Sequence, residues 1–330
     1  MKEALYYEKI DDKIRCLLCP KECLIALGKK GFCRGRENVD GRLIALTYEE
    51  CVSVAIDPIE KKPLYHFYPG SLILSCAPNS CNLGCIYCQN WTISQEETPT
   101  QHITSKEMVE LALKKNSMGI AYTYTEPLIW YEYLLETARL ARKKGLVNVL
   151  VTNGYINSEP FEELLPHIDA MNIDVKSMKE SFYKEYCKAT LAPILKTAER
   201  ARKSCHVEIT NLVIPTLNDS NEDFKKLIDW IADKLGNDTP LHFSRYFSHY
   251  KLDIPPTPIT TLERARKIAK EVLKHVYIGN ISDPSANTTY CPKCKKALIA
   301  RDGYSISRMH LKGKRCQYFG EEINIVIGDQ

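Results

Sequence analysis

Cysteines are the residues of this sequence whose type and spacing could carry chemistry. The tightest group, Cys81, Cys85 and Cys88, has the spacing C-x3-C-x2-C. Three thiolates on one short loop can hold three irons of a 4Fe–4S cluster and leave the fourth iron open to another ligand. The alternative is a zinc knuckle completed by Cys76, but such knuckles favour paired C-x2-C spacing and this loop has one pair. The spacing favours an iron–sulfur centre with an open iron, and Tyr87 supplies an aromatic wall beside it.

Two further cysteine groups flank this loop. The N-terminal group offers four thiolates, enough for one closed site: Cys16, Cys19, Cys23 and Cys33. A structural zinc ion and a second 4Fe–4S cluster both fit such a group, and spacing does not distinguish them. Near the C-terminus, Cys291 and Cys294 form a C-x2-C pair with Cys316 downstream, like a zinc ribbon that lacks one ligand. His310 is the candidate for the fourth position; otherwise the site is degenerate.

Composition limits the class of protein. The chain has 330 residues, of which 44% are hydrophobic and 26% charged, as in ordinary globular proteins. Its first residues, MKEALYYEKIDDK, carry charges throughout and no apolar run, and no stretch of about 18 apolar residues follows, so we expect neither a secretion signal nor a membrane span. Fourteen cysteines in such a chain indicate metal or cluster ligation in a reducing cytoplasm rather than disulfides.

The charge distribution is uneven. The 45 basic and 41 acidic residues give a net charge of +4, which by itself does not indicate nucleic acid binding. Residues 291–316 are more basic, with eight Lys or Arg residues against one acid, Asp302. A solvated basic surface is the simpler interpretation of this excess, and contact with nucleic acid is the other.

Strand and helix patterns alternate through the middle of the chain. The predicted strands are residues 71–75, 119–124, 147–152, 170–175, 207–214, 241–247 and 276–281. Helices are predicted between them, the first behind a capping box that begins at Thr104. Such alternation implies parallel strands with right-handed crossovers. We therefore predict an α/β fold, an open, partial (β/α)6 barrel of the TIM type, with the cysteine loop at its carboxyl-terminal face.

The prediction divides the chain into three domains. Residues 1–68 form a small Cys-rich metal or cluster module, which ends in a connector over Asp57–Gly70. Residues 69–285 form the barrel, and residues 286–330 form a zinc-ribbon-like tail.

The motifs resemble those of radical S-adenosylmethionine (SAM) enzymes over about residues 71–283. The resemblance is greatest to the group of pyruvate formate-lyase activating enzymes, in particular the radical SAM member of the AmmeMemoRadiSam set. Four segments of that set occur together here: Cys16–Cys23, Asp57–Gly70, Cys81–Trp91 and Ala121–Pro127. The resemblance implies a 4Fe–4S cluster whose open iron binds the methionine part of SAM. One electron, from a donor such as ferredoxin or flavodoxin, then yields a 5′-deoxyadenosyl radical that abstracts hydrogen from a substrate.

The resemblance also implies SAM contacts at four strand ends. Glu126 would hold the methionine ammonium, and Asn153 would lie near the ribose hydroxyls unless it only forms a turn. Asp174 and Lys176 would contact SAM, with a purely structural ion pair as the alternative. His242 would lie near SAM, although a lone histidine in an apolar strand is often a core residue.

Three positions depart from the activating enzymes. Thr152 stands where those enzymes have an aspartate, which places a carboxylate role there in doubt. Thr210 and Thr216 stand where they have an arginine and a glycine, so their protein substrate does not carry over.

Two classes of function remain. The first is a radical SAM oxidoreductase that acts on a protein, peptide, RNA or small-molecule substrate, with a glycyl radical enzyme among the candidates. The second is a non-catalytic Cys-rich metal-binding protein that contacts nucleic acid. The second leaves the barrel pattern and the matching strand ends unexplained, so the sequence favours the enzyme.

Overall fold

A computed structural model describes residues 1–328 and shows an N-terminal part made of short antiparallel strands. These strands are β1 (Lys2–Glu3), β2 (Tyr7–Ile10), β3 (Lys13–Cys16), β4 (Leu24–Ile25), β5 (Arg36–Val39), β6 (Arg42–Ala45) and β7 (Glu50–Cys51). Strands β1, β6 and β5 form one small sheet, and β2, β3 and β4 form another. The predicted loop-rich character of this region reflects how short these strands are.

A large sheet follows and positions the cysteine loop. Its strands, with the short β10 between them in sequence, are β8 (Ser53–Pro58), β9 (Leu72–Ala77), β10 (Gln101–His102), β11 (Gly119–Tyr122), β12 (Val147–Thr152), β13 (Ala170–Asp174), β14 (His206–Val213), β15 (Leu241–Arg245) and β16 (Val276–Gly279). Strand β10 pairs with β7 instead. From β9 to β16 the remaining strands pair in chain order and all in parallel, and β8 adds to β9 in antiparallel orientation. The predicted open α/β barrel of parallel strands is confirmed, and it begins with a strand at Ser53 that the sequence did not reveal.

Helices cover the sheet between its strands. They are α1 (Trp91–Ser94), α2 (Ser105–Lys114), α3 (Tyr131–Lys143), α4 (Ser158–Leu164), α5 (Glu180–Phe182), α6 (Ala192–Arg202), α7 (Asn221–Trp230) and α8 (Ile259–Lys270). The predicted capping box at Thr104 is confirmed, since its hydroxyl accepts from the amide of Glu107 and the Glu107 carboxylate accepts in return. A 3-10 turn, Pro127–Trp130, precedes α3 and has Pro127 at its first position, where a missing amide donor costs nothing. No helix within residues 1–328 is long and apolar enough to cross a membrane.

The C-terminal part packs along the barrel. It contains α9 (Pro284–Asn287), β17 (Thr289–Tyr290), β18 (Ala297–Asp302), β19 (Ser305–Met309), β20 (Leu311–Lys312) and β21 (Arg315–Cys316). Arg301, one of the basic residues counted toward a surface excess, is in fact buried. Its guanidinium donates to the Tyr65 carbonyl at 2.7 Å and to the Thr289 hydroxyl at 2.9 Å, and lies 3.5 Å from the Glu60 carboxylate. Arg301 therefore connects the C-terminal part to the segment between β8 and β9 that contains Glu60 and Tyr65.

Candidate active site

The three motif thiols face a cavity at the carboxyl ends of the barrel strands. The cavity has a volume of about 560 Å³, and Cys81, Cys85, Cys88 and Tyr87 line one side of it. The loop leaves β9 and is held in place by side chains around it: the Cys88 sulfur lies 3.2 Å from the Ser94 hydroxyl. This is the face where barrel enzymes assemble their active sites.

The spacing of the sulfur atoms tests which metal group suits these thiols. Tetrahedral zinc with Zn–S bonds of about 2.3 Å brings sulfur atoms to roughly 3.8 Å from one another. Among residues 1–328, one group of three or more metal-binding side chains has its ligand atoms within 4.8 Å of one another, and it does not include Cys81, Cys85 or Cys88. The sulfur atoms of Cys81, Cys85 and Cys88 therefore do not all lie within 4.8 Å of one another. This wider spacing fits the larger core of a polynuclear iron–sulfur cluster.

Glu126 lies at the end of the next strand, and its buried carboxylate accepts three hydrogen bonds. It follows β11, lines the cavity and is 1% exposed. Its carboxylate accepts from the Thr152 hydroxyl at 2.7 Å, the Asn153 amide at 2.8 Å and the Leu128 amide at 3.0 Å. Burial raises the pKa of Glu126 to about 7 despite these donors. An ammonium group placed beside it would stabilise the charged form, because opposite charges attract strongly at low dielectric.

Asn153 connects the end of β12 to the cysteine loop. Its side-chain nitrogen Nδ2 donates to the side-chain oxygen Oδ1 of Asn82 at 3.0 Å and lies 3.7 Å from the Cys81 sulfur. Its side-chain oxygen accepts from the Tyr155 amide at 2.8 Å, and Gly154 has a positive φ of 69°. The residue thus forms the turn and also lines the cavity.

Asp174 and Lys176 stand together at the end of β13, as the alternation of strand side chains predicts. Both line the cavity, and the Lys176 ammonium lies 2.9 Å from the Asp174 carboxylate. Burial opposes the charge on Lys176, but Asp174 and the neighbouring Cys85 outweigh it and raise the pKa of Lys176. The ion pair is present and borders the cavity, so both roles considered for these residues are compatible with their position.

His242 lies elsewhere. It does not line the cavity, and its Nε2 lies 2.6 Å from the carboxylate of Glu208, which also lies 3.0 Å from His206 Nε2. The rings of Tyr65 and Tyr277 pack on His242 at 4.8 and 5.1 Å. His242 is thus part of a buried polar network in the core, and its predicted SAM contact has no support in this geometry.

The sequence interpretation missed a charged wall of the cavity. Lys61 and Lys62 line it, and both donate to Asp57, at 2.8 and 2.6 Å. Burial alone would raise the pKa of Asp57, but these two lysines hold it well below its usual range. Tyr124 donates its hydroxyl to the same carboxylate, and its φ of 64° is uncommon for a bulky residue. The Asp-x3-Lys-Lys pattern was visible, but only the position of β8 shows that it faces the site.

A fourth thiol near the cluster loop was also missed. Cys187 follows α5, is buried and has its sulfur 3.1 Å from the Tyr87 hydroxyl. A hydrogen bond with Cys187 raises the pKa of Cys85 well above its usual value, and burial of Cys85 adds to the increase. A lone cysteine in a helical segment carries no spacing signal, so its proximity depends on the tertiary fold.

The flanking cysteine groups differ in their sulfur spacing. The four N-terminal thiols line one small cavity with Asn82 of the cluster loop, yet no three of them lie within 4.8 Å of one another. The C-terminal trio, Cys291, Cys294 and Cys316, does meet that distance, with 3.8 Å between the last two sulfurs. His310 is not in this group, and its Nδ1 instead lies 2.8 Å from the Gln317 amide nitrogen.

Fold and site together define an α/β barrel with a cysteine-lined cavity at the carboxyl ends of its strands, the architecture of a cofactor-dependent enzyme. Residues 77–231 match the family model of the radical SAM superfamily. The chain belongs to this superfamily, and pyruvate formate-lyase activating enzymes are among its homologues. The family's cofactors are a 4Fe–4S cluster and SAM.

The chain is similar to several individual proteins. The chain is 49% identical over 336 aligned residues to an uncharacterized protein of Methanocaldococcus jannaschii, which covers 99% of this chain and 100% of that protein. It is 25% identical over 211 residues to the pyruvate formate-lyase 1-activating enzyme of Escherichia coli K12, over 58% of this chain and 85% of that enzyme. Among solved structures, Streptococcus suis SuiB bound to S-adenosylmethionine matches with a TM-score of 0.51 and 12% identity, over 65% of this chain and 50% of SuiB. At that identity the match shows a shared fold.

Proposed function

We propose that this protein cleaves SAM reductively at a 4Fe–4S cluster held by Cys81, Cys85 and Cys88 and abstracts hydrogen from a substrate. The observation that carries the proposal is that the three thiols and four predicted SAM contacts line one cavity. Those contacts are Glu126, Asn153, Asp174 and Lys176. When bound, the cluster supplies the electron for cleavage of the sulfonium C–S bond.

The chain's own residues supply position and charge. Glu126 would bind the SAM ammonium, since its carboxylate is buried and already oriented by three donors. Asn153 would hold the Cys81 loop beside the SAM ribose, because its side chain lies 3.7 Å from the Cys81 sulfur and also lines the cavity. Lys176 would offer its ammonium to the SAM carboxylate while Asp174 holds it.

We also propose different metals for the two flanking groups. The N-terminal thiols surround a cavity, and no three of their sulfurs lie within 4.8 Å of one another, a wider spacing that favours a second 4Fe–4S cluster over zinc. The C-terminal thiols have the close spacing of a zinc site with three protein ligands. Phe319 stands where a second C-x2-C pair would place the fourth cysteine.

The reducing partner would be a low-potential carrier such as ferredoxin or flavodoxin. A glycyl radical enzyme is the second candidate for the target, and the activating enzymes among the relatives favour it. Thr210, which lines the cavity where those enzymes have an arginine, argues for a different substrate. If the target is a glycyl radical enzyme, incubating that enzyme with the reduced protein and SAM would give a glycyl radical signal by electron paramagnetic resonance.

The test of the main proposal is anaerobic reconstitution followed by reduction with dithionite in the presence of SAM. We expect 5′-deoxyadenosine and methionine as products. Cys81→Ala, Cys85→Ala and Cys88→Ala should each abolish cleavage, whereas Cys205→Ala, a thiol outside every group, should not. Cleavage retained in any of the three motif variants would overturn the cluster assignment.

A further inference from the structure

A second cavity, of about 460 Å³, lies between α8, the start of β16 and the C-terminal module. Val276 begins β16, so this cavity is at the amino ends of the strands, opposite the candidate active site. Of the residues that line it, four are basic and none carries a carboxylate, and Cys291 of the C-terminal thiol group lines its edge. The basic ones are Arg266, Lys270, Lys274 and Lys295. His275 adds no charge at neutral pH, because burial lowers its pKa to about 4.

In the described part of the chain these four cations are not held in ion pairs, and Asp283 acts on Arg266 only from beyond ion-pair distance. Within residues 1–328, none of them forms a salt bridge. Burial, together with repulsion from Arg266 and Lys295, lowers the pKa of Lys270. Like charges around one cavity destabilise each other, and a bound anion would relieve that repulsion.

Arg266 is already oriented for an anion. Its Nε donates to the Val276 carbonyl at 3.3 Å and its Nη2 to the Ser285 carbonyl at 2.8 Å. The planar guanidinium is thereby fixed, and no residue of 1–328 accepts a hydrogen bond from its Nη1. A guanidinium whose orientation is set before binding loses less entropy when it takes a phosphate.

We propose that this cavity binds a phosphorylated small molecule. The four cations suit phosphate oxygens, and the apolar or aromatic walls of Val272, Leu273 and Tyr290 suit an organic part. The volume falls in the range of small-molecule sites, about 300–1,000 Å³. The site is separate from the SAM cavity and does not depend on the reaction proposed there.

Calorimetric titration of the full reconstituted chain with inorganic pyrophosphate tests this site. We expect saturable binding with one site per chain. Lys270→Ala should weaken it about tenfold or more, because a charge-assisted hydrogen bond contributes about 1.5–3 kcal/mol and 1.4 kcal/mol is tenfold. Lys267→Ala is the matched control, since Lys267 is an exposed residue of the same helix that does not line the cavity. It should leave the affinity unchanged.

Three results would overturn the proposal. One is the absence of saturable pyrophosphate binding. Another is an equal loss in Lys267→Ala and Lys270→Ala, which would mean that only the net charge matters. The third is tighter binding of a single-stranded RNA oligomer with a steep dependence on salt, which would make the face a nucleic acid surface instead.

Discussion

Arg36 of the N-terminal module and Glu132 of α3 form a fully buried ion pair that joins the module to the barrel. The Arg36 Nη2 lies 2.7 and 2.9 Å from the two carboxylate oxygens of Glu132, and the Arg36 Nη1 donates to the Leu5 carbonyl at 2.8 Å. Leu5 in turn donates its amide to Glu132 at 2.7 Å. The same Arg36 lines the cavity of the four N-terminal thiols. The buried ion pair and the cavity of the four N-terminal thiols therefore share one residue.

Removing one partner of this pair should destabilise the protein strongly. We expect Arg36→Met to lower the free energy of unfolding by about 3–5 kcal/mol, because it leaves the Glu132 charge buried and unpaired. The double variant Arg36→Met/Glu132→Leu should recover most of the loss. Urea unfolding followed by circular dichroism measures both. Equal losses in the single and double variants would show that packing, and not charge, joins the module to the barrel.

Cys187 offers a sharp test of the open-iron assignment. If Cys81, Cys85 and Cys88 alone hold the cluster, Cys187→Ser should keep about four irons at that site and retain SAM cleavage. Cys85→Ser should lose both. Iron and sulfide analysis with electron paramagnetic resonance of the reduced protein distinguishes the variants. Loss of this cluster in Cys187→Ser would mean that the site is closed by four thiolates and has no iron free for SAM.

The pKa of Glu126, about 7 against an ordinary 4.5, predicts two effects of pH. The folded protein holds a proton on Glu126 that the unfolded chain releases, so its contribution to stability falls as pH rises from about 4.5 to about 7 and levels off above. SAM affinity should change in the opposite direction and rise through pH 7, because the ammonium needs the carboxylate.

Equilibrium dialysis of SAM between pH 6 and 8 measures the second effect. Glu126→Gln should weaken SAM binding at pH 8 by tenfold or more, about 1.5–3 kcal/mol, and should remove the dependence on pH while iron content stays unchanged. An affinity that does not vary with pH in the unsubstituted protein would contradict a role for Glu126 in ammonium binding.

Metal content separates the three cysteine groups. We expect about eight irons with matching sulfide and about one zinc per chain, since each cluster holds four irons. Cys19→Ala should lose about four irons and leave the spectrum of the SAM-binding cluster intact. Cys294→Ala should lose only the zinc. A chain with about four irons and two zinc ions would instead make the N-terminal group a structural zinc site.

The sequence predicted those parts of the site that depend on local spacing. The cysteine loop was predicted from its spacing, whereas Glu126 and the Asp174–Lys176 pair were implied by the family resemblance of their strand-end motifs. Parallel strands bring their carboxyl ends to one face, so these residues line one cavity. His242 also lies on a barrel strand, but Glu208 of the neighbouring strand holds it in the core. Which polar partner a buried histidine meets depends on contacts between strands distant in sequence, and no local pattern reports them.

Local sequence patterns also failed to predict contacts in the segments on either side of the barrel. Asp57–Gly70 was interpreted as a connector because it contains three prolines, yet its first two residues, Asp57 and Pro58, end β8, and the antiparallel pairing of β8 with β9 makes β8 an edge of the sheet. Arg301 counted as a surface charge until the fold placed it against Glu60. In both cases a partner outside the local segment decides the outcome, the next strand for β8 and a residue more distant in sequence for Arg301.

One pairing joins Val326 to the segment between β8 and β9. Val326 donates its amide to the His66 carbonyl at 2.8 Å and accepts from the Tyr68 amide at 2.7 Å, beside the strand that enters the barrel. During synthesis the barrel strands emerge from the ribosome in order, but this contact forms only when residue 326 has left it. Residues 66–68 therefore lack this pairing until residue 326 has been synthesised, and a chain truncated before Val326 never acquires it.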